Sequence, residues 1–257
     1  MAAYIVVNDV RKSYPGAGKG QVLSVLGGIS LEVEEGELVT FFGPNGCGKT
    51  TLLLVLAGLV PSDGGSVTVG GAMPKDVRFG LVFQDYVNSL FPWRTVLDNV
   101  AFPLEVCGLP KETSRTRARE ALADLGAQFP ENRYPYQLSG GQQQLVAIAR
   151  GVASHPAVLL MDEPFGSLDF QTRISMHGVL LGLCGRTKMT TLFISHDIDE
   201  AIYLADRMFL LSKRPATIAG VIKPGLPKPR RKDDVLSQAF LDAKREALGQ
   251  FSLELVR

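Results

Sequence analysis

The sequence predicts an α/β fold, a sheet wrapped by helices with a helical subdomain inserted into it. Three observations predict it. Short β-branched or aromatic runs alternate with helical stretches, and three of those runs are apolar at nearly every position. Between about Asp85 and Arg150 the strand signal disappears. At 257 residues the chain is long enough for one large α/β domain or two small ones.

The expected strands are Tyr4–Asn8, Ile29–Val33, Glu37–Phe42, Ser66–Val69, Phe79–Phe83, Val158–Met161, Thr191–Ile194 and Met208–Leu211. Runs 37–42, 158–161 and 191–194 are continuously apolar, which predicts central strands covered on both faces. A helix follows the third strand over Thr51–Leu59, and helix-like segments 95–106, 111–126 and 140–153 fill the gap in the strand signal. After Lys213 the composition changes to a connector punctuated by Pro215, Pro224, Pro227 and Pro229. A last amphipathic helix is expected to pack on the body through Leu236, Phe240, Ala243 and Ala247.

Composition narrows the function classes. Net charge is +1, so no strong field selects nucleic acid, and the basic run Lys228–Lys232 is followed at once by Asp233 and Asp234. Cys47, Cys107 and Cys184 are odd in number and far apart, which fits neither a disulfide framework nor a zinc spacing. The N-terminal residues lack the basic start and apolar core of a signal peptide. The longest apolar runs, such as Leu52–Val60, are about half of the roughly 20 residues needed to span a bilayer.

Gly43-Pro44-Asn45-Gly46-Cys47-Gly48-Lys49-Thr50 fits G-x-x-x-x-G-K-[ST] at every position and lies between a strand and a helix. Glycines let successive backbone N–H groups point inward at phosphate oxygens, and the helix N-terminus adds partial positive charge. Lys49 would neutralise β- and γ-phosphates, the Thr50 hydroxyl would ligate Mg²⁺, and Thr51 continues the site into the helix. Asp162 ends a buried strand, where a carboxylate can hold the Mg²⁺ shell. Its neighbour Glu163 is then free to orient and deprotonate an attacking water. Adjacent acids after a strand also occur in plain surface turns, and it is the phosphate loop that gives this pair its meaning.

A phosphate loop plus an acidic strand end would also suit kinases and GTPases. Leu138-Ser139-Gly140-Gly141-Gln142, roughly twenty residues before Asp162, resembles the ABC signature. Gln84 resembles the Q-loop glutamine, Ser167-Leu168-Asp169 the D-loop, and His196 the switch histidine. The motifs fall in the family's order across most of the chain. The resemblance implies a P-loop NTPase core with an N-terminal antiparallel β part and the inserted helical subdomain. Residues 1–84 and 151–215 would form the ATP-binding α/β core, 85–150 the helical signature subdomain, and 216–257 a connector and helix packed on the core. It further implies a head-to-tail dimer, in which ATP with Mg²⁺ held by one copy is closed over by Ser139, Gly140, Gly141 and Gln142 of the second. Glu163 would be the catalytic base, His196 would contact the γ-phosphate, and Gln84 would touch metal or water and sense a transmembrane partner. Tyr14 lies where an adenine-stacking aromatic would, although a strand-end tyrosine also fits that position.

Ser89-Leu90-Phe91-Pro92-Trp93-Arg94-Thr95-Val96-Leu97-Asp98-Asn99-Val100 and Lys213-Arg214-Pro215-Ala216 resemble the nitrate/sulfonate/taurine importer branch, as does the segment around His196. That implies a permease partner seated on residues around Tyr86–Gly108, an indirect link to a substrate-binding protein, and a peripheral location on the cytoplasmic face of the inner membrane. Phe91, Pro92 and Trp93 form an apolar cluster beside a turn, the kind of patch that marks a partner surface. A soluble ABC ATPase acting on ribosomes or nucleic acid is the alternative, but neither a second core nor a long coiled-coil insertion is seen. Two positions depart from the family. Cys47 stands where serine is more frequent, and a helix N-terminus would lower its thiol pKa and make it reactive. Leu145 stands where arginine is more frequent, at the expected loss of a surface ion pair.

Overall fold

A computed structural model describes residues 3–16, 18 and 20–256. In chain order the elements are β1 (Ala3–Pro15), β2 (Val22–Glu34), β3 (Leu38–Phe42), α1 (Lys49–Leu56), β4 (Gly64–Val69), β5 (Phe79–Val82), α2 (Tyr86–Ser89), α3 (Val96–Val106), α4 (Lys111–Asp124) and α5 (Gly140–Val152). They continue with β6 (Val158–Asp162), α6 (Phe170–Thr187), β7 (Thr190–Ile194), α7 (Ile198–Leu204), β8 (Arg207–Leu211), β9 (Ile218–Ile222) and α8 (Gln238–Val256). The chain divides into two compact units, Met1–Val77 with Thr190–Arg257, and Arg78–Met189.

The first unit holds two sheets. In one, β1 pairs antiparallel with β2 on one side and β4 on the other, with bulges that shift register along both ladders. Ile5, Val7 and Val10 point inward and are essentially inaccessible. In the other, β3 lies between parallel neighbours β7 and β8, and β9 closes the edge antiparallel to β8. Every residue of β3 and β7 is buried, as strands covered on both faces require. The one polar side chain inside β3, Thr40, gives its hydroxyl hydrogen to the Ala201 carbonyl at 3.0 Å.

Helix α8 packs through Phe240, Ala243 and Ala247. Its Lys244 pairs with Asp199 of α7 at 2.6 Å, and Phe251 lies 5.1 Å, ring to ring, from Phe42 at the end of β3. The sequence places Leu236 on the same buried face, and the structure corrects this. Residues Lys232–Leu236 form a separate 3-10 turn that stops before α8, leaving Leu236 77% exposed. Strand β9 carries no signal in the sequence, where the residues between Lys213 and the last helix read as connector.

In the second unit β5 pairs parallel with β6, and helices α3, α4 and α5 pack on one another. A buried amide organises one turn there. Asn99 is inaccessible, its Nδ2 donates to the carbonyls of Phe91, Arg94 and Thr95, and its Oδ1 accepts from the Phe91 N–H at 2.8 Å. That satisfied network fixes the Phe91–Arg94 turn and presents Trp93 outward at 72% exposure. Leu145 on α5 is half-buried.

Candidate functional site

The first unit carries the phosphate loop. Strand β3 ends at Phe42 and α1 starts at Lys49, so residues 43–48 form a strand-to-helix turn. Gly48 has φ 125°, and a Cβ there would lie 2.7 Å from Val25 Cγ1, so no side chain fits. Lys49 is only 6% exposed. Its Nζ donates to the carbonyls of Gly43 at 3.0 Å and Pro44 at 3.2 Å, which holds the ammonium within the loop. Phosphate oxygens are stronger, charge-assisted acceptors than these carbonyls, so the same ammonium can be given over to a polyphosphate. Asn45, Gly46 and Thr50 are exposed, and Thr51 is half-buried beside them.

Cys47 requires a correction. The expected reactive thiol is 2% exposed, and burial pushes its pKa up by more than Lys49 and Arg214 pull it down. The helix N-terminus does not dominate here because the thiol is out of reach of solvent, and burial outweighs the nearby cations.

Tyr14 lies half-buried on β1, with the ammonium of Lys12 5.5 Å from its ring centroid. Lys12 also pairs with Asp63 at 2.8 Å, and Asp63 accepts the Ser13 N–H at 2.6 Å. These hydrogen bonds hold the Asp63 carboxyl below its ordinary range. His196 follows β7 and is exposed. Next to it, Asp197 caps α7 by accepting from the N–H groups of Asp199 and Glu200.

The second unit carries the acids and the signature. Asp162 ends β6 at 5% exposure, and Glu163 follows with φ 44°, a conformation that costs a non-glycine residue about 1–3 kcal/mol. Gln84, just past β5, donates from Nε2 to Glu163 Oε2 at 3.2 Å. Ser139 and Gln142 form a reciprocal cap on α5: Ser139 Oγ accepts the Gln142 N–H at 3.4 Å, and Gln142 Oε1 accepts the Ser139 N–H at 3.1 Å. Gly140 and Gly141 open the helix behind them, so their N–H groups stand at its positive end. Asp169 caps α6, accepting from Thr172 N at 3.0 Å and Thr172 Oγ1 at 2.7 Å, and its carboxyl is held below the usual range by those bonds. A Cβ on Gly141 would meet Thr172 Cγ2 at 2.6 Å, so the signature and the Asp169 turn share a packed contact.

Thr50 of the first unit carries a hydroxyl, and Asp162 and Gln84 of the second a carboxylate and a side-chain amide, hard oxygen donors of the chemistry that Mg²⁺ takes. Among the described residues no group of three or more His, Cys, Asp and Glu forms an all-protein cage.

The second unit also has an open apolar groove of about 670 Å³, lined by Phe79, Phe83, Phe91, Phe102 and Val106 among others. Arg150 lies in its wall, donating to the Ser89 carbonyl at 2.6 Å and hydroxyl at 2.9 Å, and its pKa is lowered by burial. Two contributions escaped the sequence. Asn99 reads there as an ordinary polar helix residue, and Arg214, which donates to the Gly46 carbonyl, is 168 residues away from its partner.

The model of the family described as ABC transporter matches residues 26–166. An uncharacterised ABC transporter ATP-binding protein of Methanocaldococcus jannaschii is 43% identical over 240 residues, which are 93% of this chain and 88% of that protein. A taurine import ATP-binding protein of Chromobacterium violaceum is 43% identical over 235 residues, 90% of this chain and 87% of that protein. A solved dimer of an ATP-binding cassette in a post-hydrolysis state, bound to ADP and Pi, superimposes with a TM-score of 0.75 at 31% identity. That match covers 85% of this chain and 98% of that one. With a phosphate loop, an acid pair and a capped signature helix already in place, these matches show that the chain belongs to the ABC transporter family of ATP-binding proteins.

Proposed function

We propose that the chain is the ATP-hydrolysing subunit of an importer, powering uptake of a small solute through a separate membrane permease. The observation that carries the catalytic reading is the Gln84–Glu163 hydrogen bond beside Asp162, in a chain that also holds a complete phosphate loop. The import reading is supported by relatives such as the taurine import protein.

In this reading the N–H groups of Gly46, Cys47 and Gly48 and the Lys49 ammonium bind and orient the β- and γ-phosphates. Tyr14 stacks on adenine, and Asn45, Thr50 and Thr51 complete the cradle. Mg²⁺, held by Thr50, Asp162 and Gln84, would offset phosphate charge. Glu163 accepts a proton from the attacking water as its oxygen bonds to the γ-phosphorus and the bond to the β–γ bridging oxygen breaks. Gln84 orients the Glu163 carboxylate, and His196 contacts the γ-phosphate and positions the water. A second copy supplies Ser139, Gly140, Gly141 and Gln142, whose helix N-terminus favours the negative charge. Asp169 holds the turn packed beside that signature.

The permease would dock on the groove edged by the Phe91–Arg94 turn, within residues Tyr86–Gly108, where exposed Trp93 provides an anchor. The solute (nitrate, a sulfonate such as taurine, or a related small organic compound) would be chosen by the permease and an external substrate-binding protein. No helix among the described residues is long and apolar enough to cross a membrane. The chain would then act peripherally, at the cytoplasmic face of the inner membrane.

Glu163→Gln tests the assignment. It should leave ATP binding intact and lower hydrolysis by ~10²–10⁴-fold, the usual worth of general-base help. Normal turnover by that variant would sink the proposal.

A further inference from the structure

We propose that Arg214 is a positioning residue for the nucleotide phosphates, acting through the Gly46–Cys47 peptide of the phosphate loop. The idea rests on the nucleotide-site reading above.

Arg214 Nε donates to the Gly46 carbonyl, and its Nη2 lies 2.8 Å from where a Cβ on Gly46 would stand. Gly46 has φ 72°, a left-handed conformation open to glycine, so the absence of a side chain both shapes the loop and admits the guanidinium. Burial raises the Cys47 thiol pKa while Lys49 and Arg214 lower it, which puts the guanidinium within electrostatic reach of the next residue.

The effect on ligand follows from the shared peptide unit. A carbonyl that accepts a charge-assisted hydrogen bond polarises its own amide and strengthens the N–H at the other end. Here that N–H belongs to Cys47, which in the structure donates to the Pro44 carbonyl at 3.2 Å. Such an N–H is what a phosphate oxygen uses in a loop of this type. The bond from Nε goes to a backbone carbonyl, so it does not neutralise the guanidinium, which adds positive potential next to the cradle.

The segment that carries Arg214 is well held. Ser212 N–H donates to the Thr217 carbonyl at 3.0 Å and Thr217 N–H to Ser212 Oγ at 2.9 Å, closing the turn between β8 and β9. Ala216 N–H donates to the Val25 carbonyl and Gly27 N–H to the Ala216 carbonyl, both at 2.8 Å. The turn is thereby sewn to β2 beside the residue that excludes a side chain at Gly48. Little freedom of the turn remains to be lost when ligand binds.

The test measures Mg-ATP affinity and steady-state hydrolysis on the full chain, for Arg214→Ala, Arg214→Gln and Arg214→Lys. The alanine variant should weaken Mg-ATP affinity about fivefold to tenfold, the worth of one charge-assisted hydrogen bond at an exposed site. KM should rise much more than kcat falls, while the urea midpoint measured without nucleotide stays in place. Lysine should recover part of the affinity and glutamine less, and added salt should narrow the gap between them. Unchanged affinity in Arg214→Ala would overturn the proposal, as would a loss matched by an equal fall in nucleotide-free stability. If the alanine variant fails to fold, lysine and glutamine decide, and equal affinities for those two would also overturn it. Lys49→Ala is the control. Should it too leave affinity unchanged, the nucleotide-site reading itself fails; should it abolish binding while Arg214→Ala does nothing, only the role of Arg214 fails.

Discussion

Replacing Gly48 by alanine attacks the phosphate loop through backbone and packing at once. At φ 125° a non-glycine residue costs about 1–3 kcal/mol. The new methyl would also sit 2.7 Å from Val25 Cγ1 and 3.2 Å from Leu26 Cδ2, an overlap that costs about 1–3 kcal/mol more in a packed region. Together these come to about 2–6 kcal/mol, a large share of the stability of an ordinary protein. With a urea slope of about 2 kcal/mol/M, the unfolding midpoint of the full chain should fall by about 1 M or more, and Mg-ATP binding should be lost with it. The double variant Gly48→Ala/Val25→Ala separates the two causes. Removing Val25 Cγ1 should return the overlap part and leave the backbone part, a non-additivity that a double-mutant cycle reads directly. A single variant with the native midpoint and native ATP affinity would refute the reasoning, because neither strain nor overlap would then exist.

Two further outcomes follow from burial and charge. With iodoacetamide at neutral pH, exposed Cys107 should be alkylated well before Cys47, and Cys47 should gain rate only as pH rises above the ordinary thiol pKa; mass mapping of the labelled peptides checks this, and equal rates would contradict the buried thiol. The Asp169 carboxyl should titrate below an unfolded-chain aspartate, because Thr172 hydrogen bonds favour its charged form. The sign is that of a depressed acid: its contribution to stability is complete above the unfolded pKa and is lost as pH falls through the lower folded one. Carbon-detected NMR of the carboxyl reads the midpoint, which in Asp169 with Thr172→Val should move back up.

Much of this was legible in the chain itself. The phosphate loop could be read because its chemistry demands fixed residue types in one contiguous stretch, with a strand before and a helix after. The buried strands β3, β6 and β7 showed as continuous apolar runs for the same local reason. What stayed hidden was set at a distance. Strand β9 is five residues with Gly220 in its middle, flanked by proline-rich segments, and only its ladder with β8 makes it a strand. Leu236 keeps the helical spacing of Phe240 and Ala243, but the 3-10 turn before α8 breaks the phase. A helix N-terminus beside Cys47 is visible in sequence, whereas the burial of its sulfur is not. Arg214 reads as part of a family-like quartet, and nothing near it in sequence points to Gly46.

The contact of Phe251 with Phe42 joins the last turns of α8 to the strand that feeds the phosphate loop, while Lys244 of the same helix holds α7, just after His196. Residues of α8 thus brace a motif encoded far earlier in the sequence, across a long entropic span of polypeptide. On a ribosome, the glycine loop would emerge well before the helix that backs it. Nucleotide competence is for this reason expected only once α8 has emerged and docked.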